Sequence, residues 1–242
     1  MTYCLGILLP VGLVMASDSR SNAGVDQIAS VRKMAQFSVP GDRVITILSA
    51  GNLATTQAVV TRLRQSAGAG FQGQDINLAP SMFDVAEMVA NRLRDVMAHD
   101  ASHVQPYGDP TGSFLVGGQI GREAPRLFQI YSAGNFIEAD DRSCFLQIGE
   151  TKYGKPILDR ALKLHTPMEE AAKLALLSFD ATIRSNLSVD APIDLWVYRS
   201  GALQGENCLS LERSDPYWTD LRARYAQGLA TLVESLPAPP LC

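Results

Sequence analysis

The sequence has no excess of basic residues and contains only five lysines, against sixteen arginines. Its 242 residues carry 21 Lys and Arg against 25 Asp and Glu, a formal net charge of −4. Nucleic-acid-binding domains and proteins attracted to anionic membrane surfaces typically have the opposite balance. We therefore expect neither nucleic acid nor a membrane as a partner.

Cysteine is also scarce, and no two cysteines form a CxxC pair. Disulfide frameworks and zinc sites need paired or clustered cysteines, so we interpret these residues as reduced, mostly buried thiols. His99 and His103 are four residues apart, but no third ligand lies near them in the sequence. The four cysteines are Cys4, Cys144, Cys208 and Cys242.

Sequence motifs for nucleotide cofactors are missing or misplaced. Residues 68–73 match GxGxxG, but they follow a predicted helix, whereas a dinucleotide site requires a preceding strand and a following helix. The chain contains neither a phosphate-binding loop nor a G-x-S-x-G nucleophile elbow. We expect no cofactor and no metal.

The apolar run near the N-terminus has no basic residue ahead of it, and the first one is Arg20. A secretion signal needs a basic start, and a bilayer span needs a longer run than the one that Pro10 and Gly12 interrupt. We interpret the run as two buried strands, residues 2–9 and 13–17, joined by a tight turn. This interpretation places the protein in the cytoplasm.

The rest of the chain alternates groups of strands with pairs of helices. Hairpin connections between the strands favour antiparallel sheets, and the apolar character of the strands requires cover on both faces. We predict an α+β fold, an αββα four-layer sandwich of two antiparallel sheets flanked by helices. One domain spans residues 1–236, and the proline-rich residues 237–242 form a flexible tail. Helices are predicted over residues 52–67, 80–99, 152–164, 166–185 and 215–236, with Thr166 capping the fourth.

Thr2 is the most informative residue, because aminopeptidases remove an initiator methionine that precedes a small side chain. Thr2 then carries a hydroxyl and a free α-amine, whose reference pKa is about 7.7–8.0. The amine can accept the hydroxyl proton, and this pair is a known form of activated nucleophile. Thr2 is thus a candidate catalytic nucleophile that supplies its own base.

Such a site needs a cation near the amine, a carboxylate to hold that cation and a backbone N–H for the developing oxyanion. Asp18 ends the second predicted strand and Lys33 begins the third. If the three strands are neighbours, both side chains can reach Thr2. Gly51 lies at a strand-to-helix turn and supplies a candidate oxyanion donor.

Taken together, these residues resemble a β-type proteasome subunit, and more closely the bacterial proteasome-related family called Anbu ("ancestral beta subunit"). The resemblance covers essentially the whole chain. It is carried by MTYCLGILL, SDSRSNAGVDQI, RKM, SAGNLATTQAVV, IGETKYGKPILDRAL and SFDATIRSN.

The resemblance implies an N-terminal-nucleophile hydrolase fold. It also implies roles for individual residues: Thr2 as nucleophile and base, Lys33 as cation, Asp18 as its partner, Arg20 as a structural support and Gly51 N–H as oxyanion donor.

Two positions depart from the proteasomal pattern. Where proteasomal subunits have Gly-Ser-Gly, Glu150 follows Ile148-Gly149. Proteasomal subunits also have an aspartate three residues before a serine. In this chain Thr182 precedes Ser185 by three, and Asp180 is displaced. We include Glu150, Asp180 and Ser185 as supporting residues of the site.

These features favour a self-assembling threonine hydrolase that cleaves peptide or peptide-like amide bonds. Two alternatives remain open, namely an amidase or acyl-transfer enzyme that uses the same mechanism on a small isopeptide-like substrate, and a catalytically silent assembly subunit. The resemblance implies a homo-oligomer, either an open ring or a helical stack. The sequence does not identify an ATPase partner.

Overall fold

The computed structural model describes residues 2–22, 28–205 and 208–240. Within these ranges the chain forms twelve strands and five α-helices. The strands are β1 (Tyr3–Leu9), β2 (Gly12–Asp18), β3 (Arg20–Asn22), β4 (Ile28–Ser30), β5 (Met34–Val39), β6 (Arg43–Gly51), β7 (Gly112–Ile120), β8 (Arg126–Ile130), β9 (Phe136–Glu138), β10 (Phe145–Gly149), β11 (Ile193–Arg199) and β12 (Cys208–Leu211). The helices are α1 (Leu53–Ser66), α2 (Met82–Val104), α3 (Lys155–Ala161), α4 (Met168–Ser185) and α5 (Pro216–Ser235), and a 3-10 turn spans Ile76–Leu78.

Ten of these strands form two five-stranded sheets. The first sheet has the order β10-β1-β2-β11-β12 and the second the order β5-β6-β7-β8-β9. Every pairing within both sheets is antiparallel, as the sequence predicts. The short strands β3 and β4 pair with each other in a separate ribbon, which the sequence pattern did not predict.

Three apolar clusters lie between successive layers. One joins the second sheet to α1 and α2 through residues such as Val59 and Val89. Another joins the first sheet to α3 and α4, with Phe179 at its centre. The third lies between the two sheets and includes Met15 and Leu115. Both sheets are therefore covered on both faces, which confirms the predicted αββα sandwich.

The N-terminal run forms the hairpin of β1 and β2 inside the first sheet. The two strands pair from Cys4 with Ser17 to Leu9 with Gly12. Nearly all of their side chains are buried, because the helices cover one face and the second sheet covers the other. This packing explains why the run is apolar without being a membrane segment. None of the helices in the described ranges combines the length and the apolar character needed to cross a membrane.

Two predicted helix starts agree with the structure. The hydroxyl of Ser81 accepts a hydrogen bond from the N–H of Asp84 at 3.3 Å and caps α2. The carboxylate of Asp215 accepts one from the N–H of Trp218 at 3.0 Å and caps α5. Both side chains satisfy N–H groups that the first turn of a helix leaves unpaired.

The predicted starts of α3 and α4 were wrong. α3 begins at Lys155 rather than near residue 152, because Pro156 is tolerated only in the first turn of a helix. α4 begins at Met168 after Pro167, and no side chain caps it. The hydroxyl of Thr166 instead accepts a hydrogen bond from the N–H of Lys163 at 2.8 Å.

Among the described cysteines, Cys4, Cys144 and Cys208 are free thiols, and Cys4 is buried. Cys242 lies outside the described residues. Residues 237–240 are neither helix nor strand, and the remainder of the predicted tail also lies outside the described residues. The domain boundary at residue 236 stays a prediction.

Candidate active site

Thr2 lies immediately before β1, at one end of the first sheet, and only 9% of its surface is exposed. Its carbonyl oxygen accepts a hydrogen bond from the N–H of Glu150 at 2.7 Å. Gly149, the residue before Glu150, has a φ of +83°, and a Cβ added there would lie 1.9 Å from the carbonyl oxygen of Thr2. Glycine is therefore required at this position, and it lets the two strands hold Thr2 in place.

Asp18 ends β2, the neighbour of β1, and is fully buried. One oxygen, Oδ1, accepts hydrogen bonds from the N–H of Tyr3 at 3.0 Å and from Nζ of Lys33 at 2.8 Å. The other oxygen accepts one from the N–H of Arg20 at 3.2 Å. Burial raises the pKa of the Asp18 carboxyl, and the Lys33 cation and the backbone N–H groups oppose this rise.

Lys33 lies immediately before β5, which is the edge strand of the second sheet. The strand that Lys33 precedes is therefore not a neighbour of β1 and β2, so the condition stated from the sequence is not met. Lys33 nevertheless reaches Asp18, because the second sheet packs on the first and the side chain extends from one to the other. Its Nζ also donates to the carbonyl oxygen of Arg20 at 2.5 Å. The N–H of Ser49 in β6 holds the Lys33 backbone at 3.1 Å.

Gly51 ends β6 one residue before the cap of α1, as expected from the sequence. Its φ is +111°, and an added Cβ would lie 2.4 Å from the carbonyl oxygen of Thr111. Asn52 caps α1 by accepting a hydrogen bond from the N–H of Thr55 at 3.2 Å. The junction between β6 and α1 is thus tightly fixed beside β7.

Two cavities meet at this junction. The first, here called the Thr2 cavity, has a volume of about 380 Å³ and runs along α1. The second cavity, of about 290 Å³, lies towards β7 and β10, and both cavities share Ala50 and Gly51. The Thr2 cavity is lined by Thr2, Ser21, Arg32, Lys33, Met34, Ala35, Ser49, Ala50, Gly51, Leu53, Thr56, Gln57, Val60, Thr61 and Arg64.

Comparison with known proteins agrees with the fold described above. The family model described as "Proteasome subunit" matches residues 2–197. The solved structure of Anbu (ancestral beta-subunit) from Yersinia bercovieri is 40% identical, with a TM-score of 0.93 and 99% of both chains covered. The chain belongs to the Anbu branch of the proteasome subunit family.

Two further structures support this assignment. The helical assembly of the Anbu complex from Pseudomonas aeruginosa is 46% identical over 98% of both chains, with a TM-score of 0.93. Anbu from Hyphomicrobium sp. strain MC1 is 41% identical over 99% of this chain and 100% of that one, with a TM-score of 0.91. A search of curated proteins finds no match. The expected N-terminal-nucleophile hydrolase sandwich is therefore confirmed for this Anbu chain.

Arg20 of this Anbu chain begins β3, and its side chain does not line the Thr2 cavity. Its guanidinium lies 3.0 Å from the carboxylate of Asp190, which also binds Arg213. Asp190 lies in the loop before β11 and was not singled out by sequence analysis. These ion pairs tie the segment after Asp18 to the far edge of the first sheet.

Glu150 lies beside Thr2, as its position in the sequence suggests. Its carboxylate is buried and accepts a hydrogen bond from Nδ2 of Asn186 at 2.9 Å, and Lys152 lies 3.8 Å away. The sequence contains no signal for this role of Asn186, because this residue follows α4 and only the tertiary fold brings it to Glu150. The buried asparagine thus positions the acidic residue that distinguishes this Anbu chain from the Gly-Ser-Gly pattern.

Asp180 and Ser185 are not brought to Thr2. The carboxylate of Asp180 pairs with Arg184 at 3.1 Å and with Arg222 of α5 at 2.6 Å. Ser185 is exposed, and both residues line a separate cavity beside α5 that shares no residue with the Thr2 cavity. The structure therefore gives Asp180 a role in joining α4 to α5. The inclusion of Asp180 and Ser185 among the residues that support the site at Thr2 was wrong.

Two side chains that follow Thr2 in the sequence are held in their neutral forms near pH 7. Burial raises the pKa of the Tyr3 phenol to about 12, and its hydroxyl lies 2.6 Å from that of Ser178. Burial also raises the pKa of the Cys4 thiol. Neither side chain offers a competing base or nucleophile near pH 7. Among the described residues, no cluster of three or more His, Cys, Asp or Glu side chains is arranged to hold a metal ion.

Proposed function

We propose that this Anbu protein is a threonine-nucleophile hydrolase that cleaves peptide or peptide-like amide bonds after removal of Met1. The observation that carries the proposal is the shared position of three groups. Asp18 joins the backbone N–H next to Thr2 to the Nζ of Lys33, and Thr2 and Lys33 line one cavity together with Gly51.

The reaction begins when the α-amine of Thr2 accepts the proton of its own hydroxyl. Oγ forms a bond to the scissile carbonyl carbon, and the carbonyl π electrons move to the oxygen. The C=O bond then re-forms, the C–N bond breaks, and the ammonium proton passes to the leaving amine. Water attacks the resulting ester by the same route and restores Thr2.

Lys33 and Asp18 prepare Thr2 for this reaction. A positive charge near the α-amine favours its neutral, basic form. The buried carboxylate of Asp18 fixes the position of Lys33, and the 2.8 Å contact is of the charge-assisted type. With Met1 attached, the nitrogen of Thr2 is an amide that cannot act as a base. Removal of Met1 is therefore the activating step.

Gly51 supplies the backbone N–H that stabilises the oxyanion. The residue lies where the two cavities meet, and its backbone is fixed by the close approach of Thr111. Donors that are already fixed need no reorganisation during the reaction, which is why they lower the barrier.

We also propose that the protein assembles into a homo-oligomer. The relative from Pseudomonas aeruginosa forms a helical assembly. The second half of α5 and the residue that follows it expose apolar side chains, a composition typical of subunit contacts. These side chains are Leu229, Leu232, Val233 and Leu236.

The deciding experiment combines the intact mass of the protein from its native host with a peptide epoxyketone, which needs both the hydroxyl and the free amine. We expect a mass lower by one methionine residue and an adduct mapped to Thr2. Thr2→Ala, which lacks the hydroxyl, serves as the control and should form no adduct. Retention of Met1 in active protein would contradict the mechanism, and processed protein without an adduct would indicate a silent assembly subunit.

A further inference from the structure

The charged residues that line the Thr2 cavity are all cationic. They are Arg32, Lys33 and Arg64, and the described lining residues include no Asp or Glu. The second cavity differs, since its described lining has no charged side chain at all. The positive charge is thus confined to one side of Gly51.

Two of the three cations already have carboxylate partners. Lys33 pairs with Asp18 at 2.8 Å, and Nε of Arg32 lies 3.4 Å from Asp194. Arg64 is exposed and, in the part of the chain that the structure describes, makes no hydrogen bond or ion pair. Its guanidinium is therefore available to a ligand in the cavity.

Arg64 lies on the face of α1 that forms one wall of the cavity. The wall residues follow a helical spacing from Leu53 through Val60 to Arg64. At 1.5 Å per residue, Arg64 lies about 16 Å along the axis from Leu53. Helical side chains tilt towards the N-terminus, so a long side chain at this position leans back towards Gly51.

The acyl part of a substrate belongs in this cavity. After the C–N bond breaks, the acyl group stays attached to Thr2, and Thr2 lines this cavity but not the second one. The side chain next to the scissile carbonyl therefore enters the space between β5, β6 and α1. The leaving amine departs towards the uncharged cavity.

We propose that Arg64 selects substrates whose residue immediately before the scissile bond is acidic, with glutamate preferred over aspartate. This inference rests on the proposed function, because it assigns substrate preference to the same site. A carboxylate forms a planar, two-point hydrogen-bonded pair with a guanidinium. The longer glutamate side chain spans more of the distance to Arg64. A lysine or arginine in the same position meets the cation of Arg64, which has no carboxylate partner among the described residues, and is disfavoured.

Binding can be measured without turnover, using the full chain with Thr2→Ala and fluorescent product peptides that end in Glu, Asp, Gln or Lys. We expect the Glu peptide to bind about tenfold more tightly than the Gln peptide. This is the ratio of dissociation constants that corresponds to the energy of one charge-assisted hydrogen bond. Adding Arg64→Gln should abolish that difference. Arg62→Gln is the matched control, because Arg62 lies on the same helix but does not line the cavity, and it should keep the preference.

Binding without a charge preference, or a preference that survives Arg64→Gln, would overturn this inference and leave the proposed hydrolase intact. The epoxyketone experiment separates the two, since it tests Thr2 independently of Arg64. A Glu preference that depends on Arg64 in a protein whose Thr2 never reacts would support the cavity assignment and refute the hydrolase. Thermal unfolding of each variant checks that the fold is retained.

Discussion

At the residue scale, the Asp18–Lys33 pair couples chemistry to stability. We expect Lys33→Ala to abolish turnover, because the α-amine loses the charge that favours its neutral form. We also expect a loss of about 3–5 kcal/mol in the free energy of unfolding, because a fully buried carboxylate is left without its cation. Peptide hydrolysis and chemical denaturation measure the two effects.

The pH dependence of this variant follows from the direction of the Asp18 pKa. Burial raises the pKa of Asp18 in the folded protein. At pH values above the pKa that Asp18 has in the unfolded state, the folded state therefore binds more protons than the unfolded state. Without Lys33 the destabilisation should therefore grow as pH rises from 5 to 8. A destabilisation that is constant over this range would contradict the assignment.

The double variant Asp18→Asn with Lys33→Met is the control for this prediction. An amide oxygen can still accept the hydrogen bond from the N–H of Tyr3, although the one from the N–H of Arg20 to the second oxygen is lost, and no unpaired charge remains buried. Stability should recover while activity stays absent, because the cation is still missing. Recovery of activity would exclude Lys33 as the required charge.

The sequence locates the residues around Thr2 more reliably than it identifies their partners. Asp18, Lys33 and Gly51 lie at the ends of strands that the apolar pattern marks, and the structure brings them to Thr2. Asn186 carried no usable signal, because its role depends on a contact with Glu150, 36 residues away. The catalytic roles themselves remain predictions.

At the scale of elements, the junction between β6 and α1 positions Gly51, the proposed oxyanion donor. We expect Gly51→Ala to reduce turnover by about 10²–10³-fold, the loss typical of one oxyanion-hole donor. An added Cβ would lie 2.4 Å from the backbone oxygen of Thr111, so the junction must shift. Steady-state hydrolysis measures the effect.

Gly41→Ala is the matched control for this substitution. Its φ is also positive, at +76°, but an added Cβ would meet nothing within 4 Å. We expect it to lose about 1–2 kcal/mol of stability from backbone strain alone, with turnover unchanged. If both variants lose activity equally, backbone strain rather than the position of Gly51 explains the loss.

At the scale of the whole molecule, the exposed half of α5 is the proposed subunit contact. We expect Val233→Glu to shift the protein to smaller species, because burying a carboxylate in an apolar contact is costly. Size-exclusion chromatography with light scattering measures the change. Thr231→Glu adds the same charge on the opposite face of the helix and should leave the assembly intact.

A protein that is monomeric across micromolar concentrations would contradict the proposed assembly directly. If Val233→Glu and Thr231→Glu dissociate it equally, charge rather than contact with the apolar face is responsible. Thermal unfolding should be similar for both variants, since 69% of the Val233 surface is already exposed in the single chain.

The sequence by itself determined the αββα sandwich, since strands that are apolar on both faces must be covered on both faces, and it singled out Thr2, Asp18, Lys33 and Gly51. Only the tertiary structure decided that Lys33 reaches Asp18 from the opposite sheet, that Asp180 belongs to the contact with α5, and that Arg64 lies in the Thr2 cavity without a partner among the described residues. Local periodicity reports which residues are buried. It carries no information about which distant side chains meet, because that depends on how the two sheets pack.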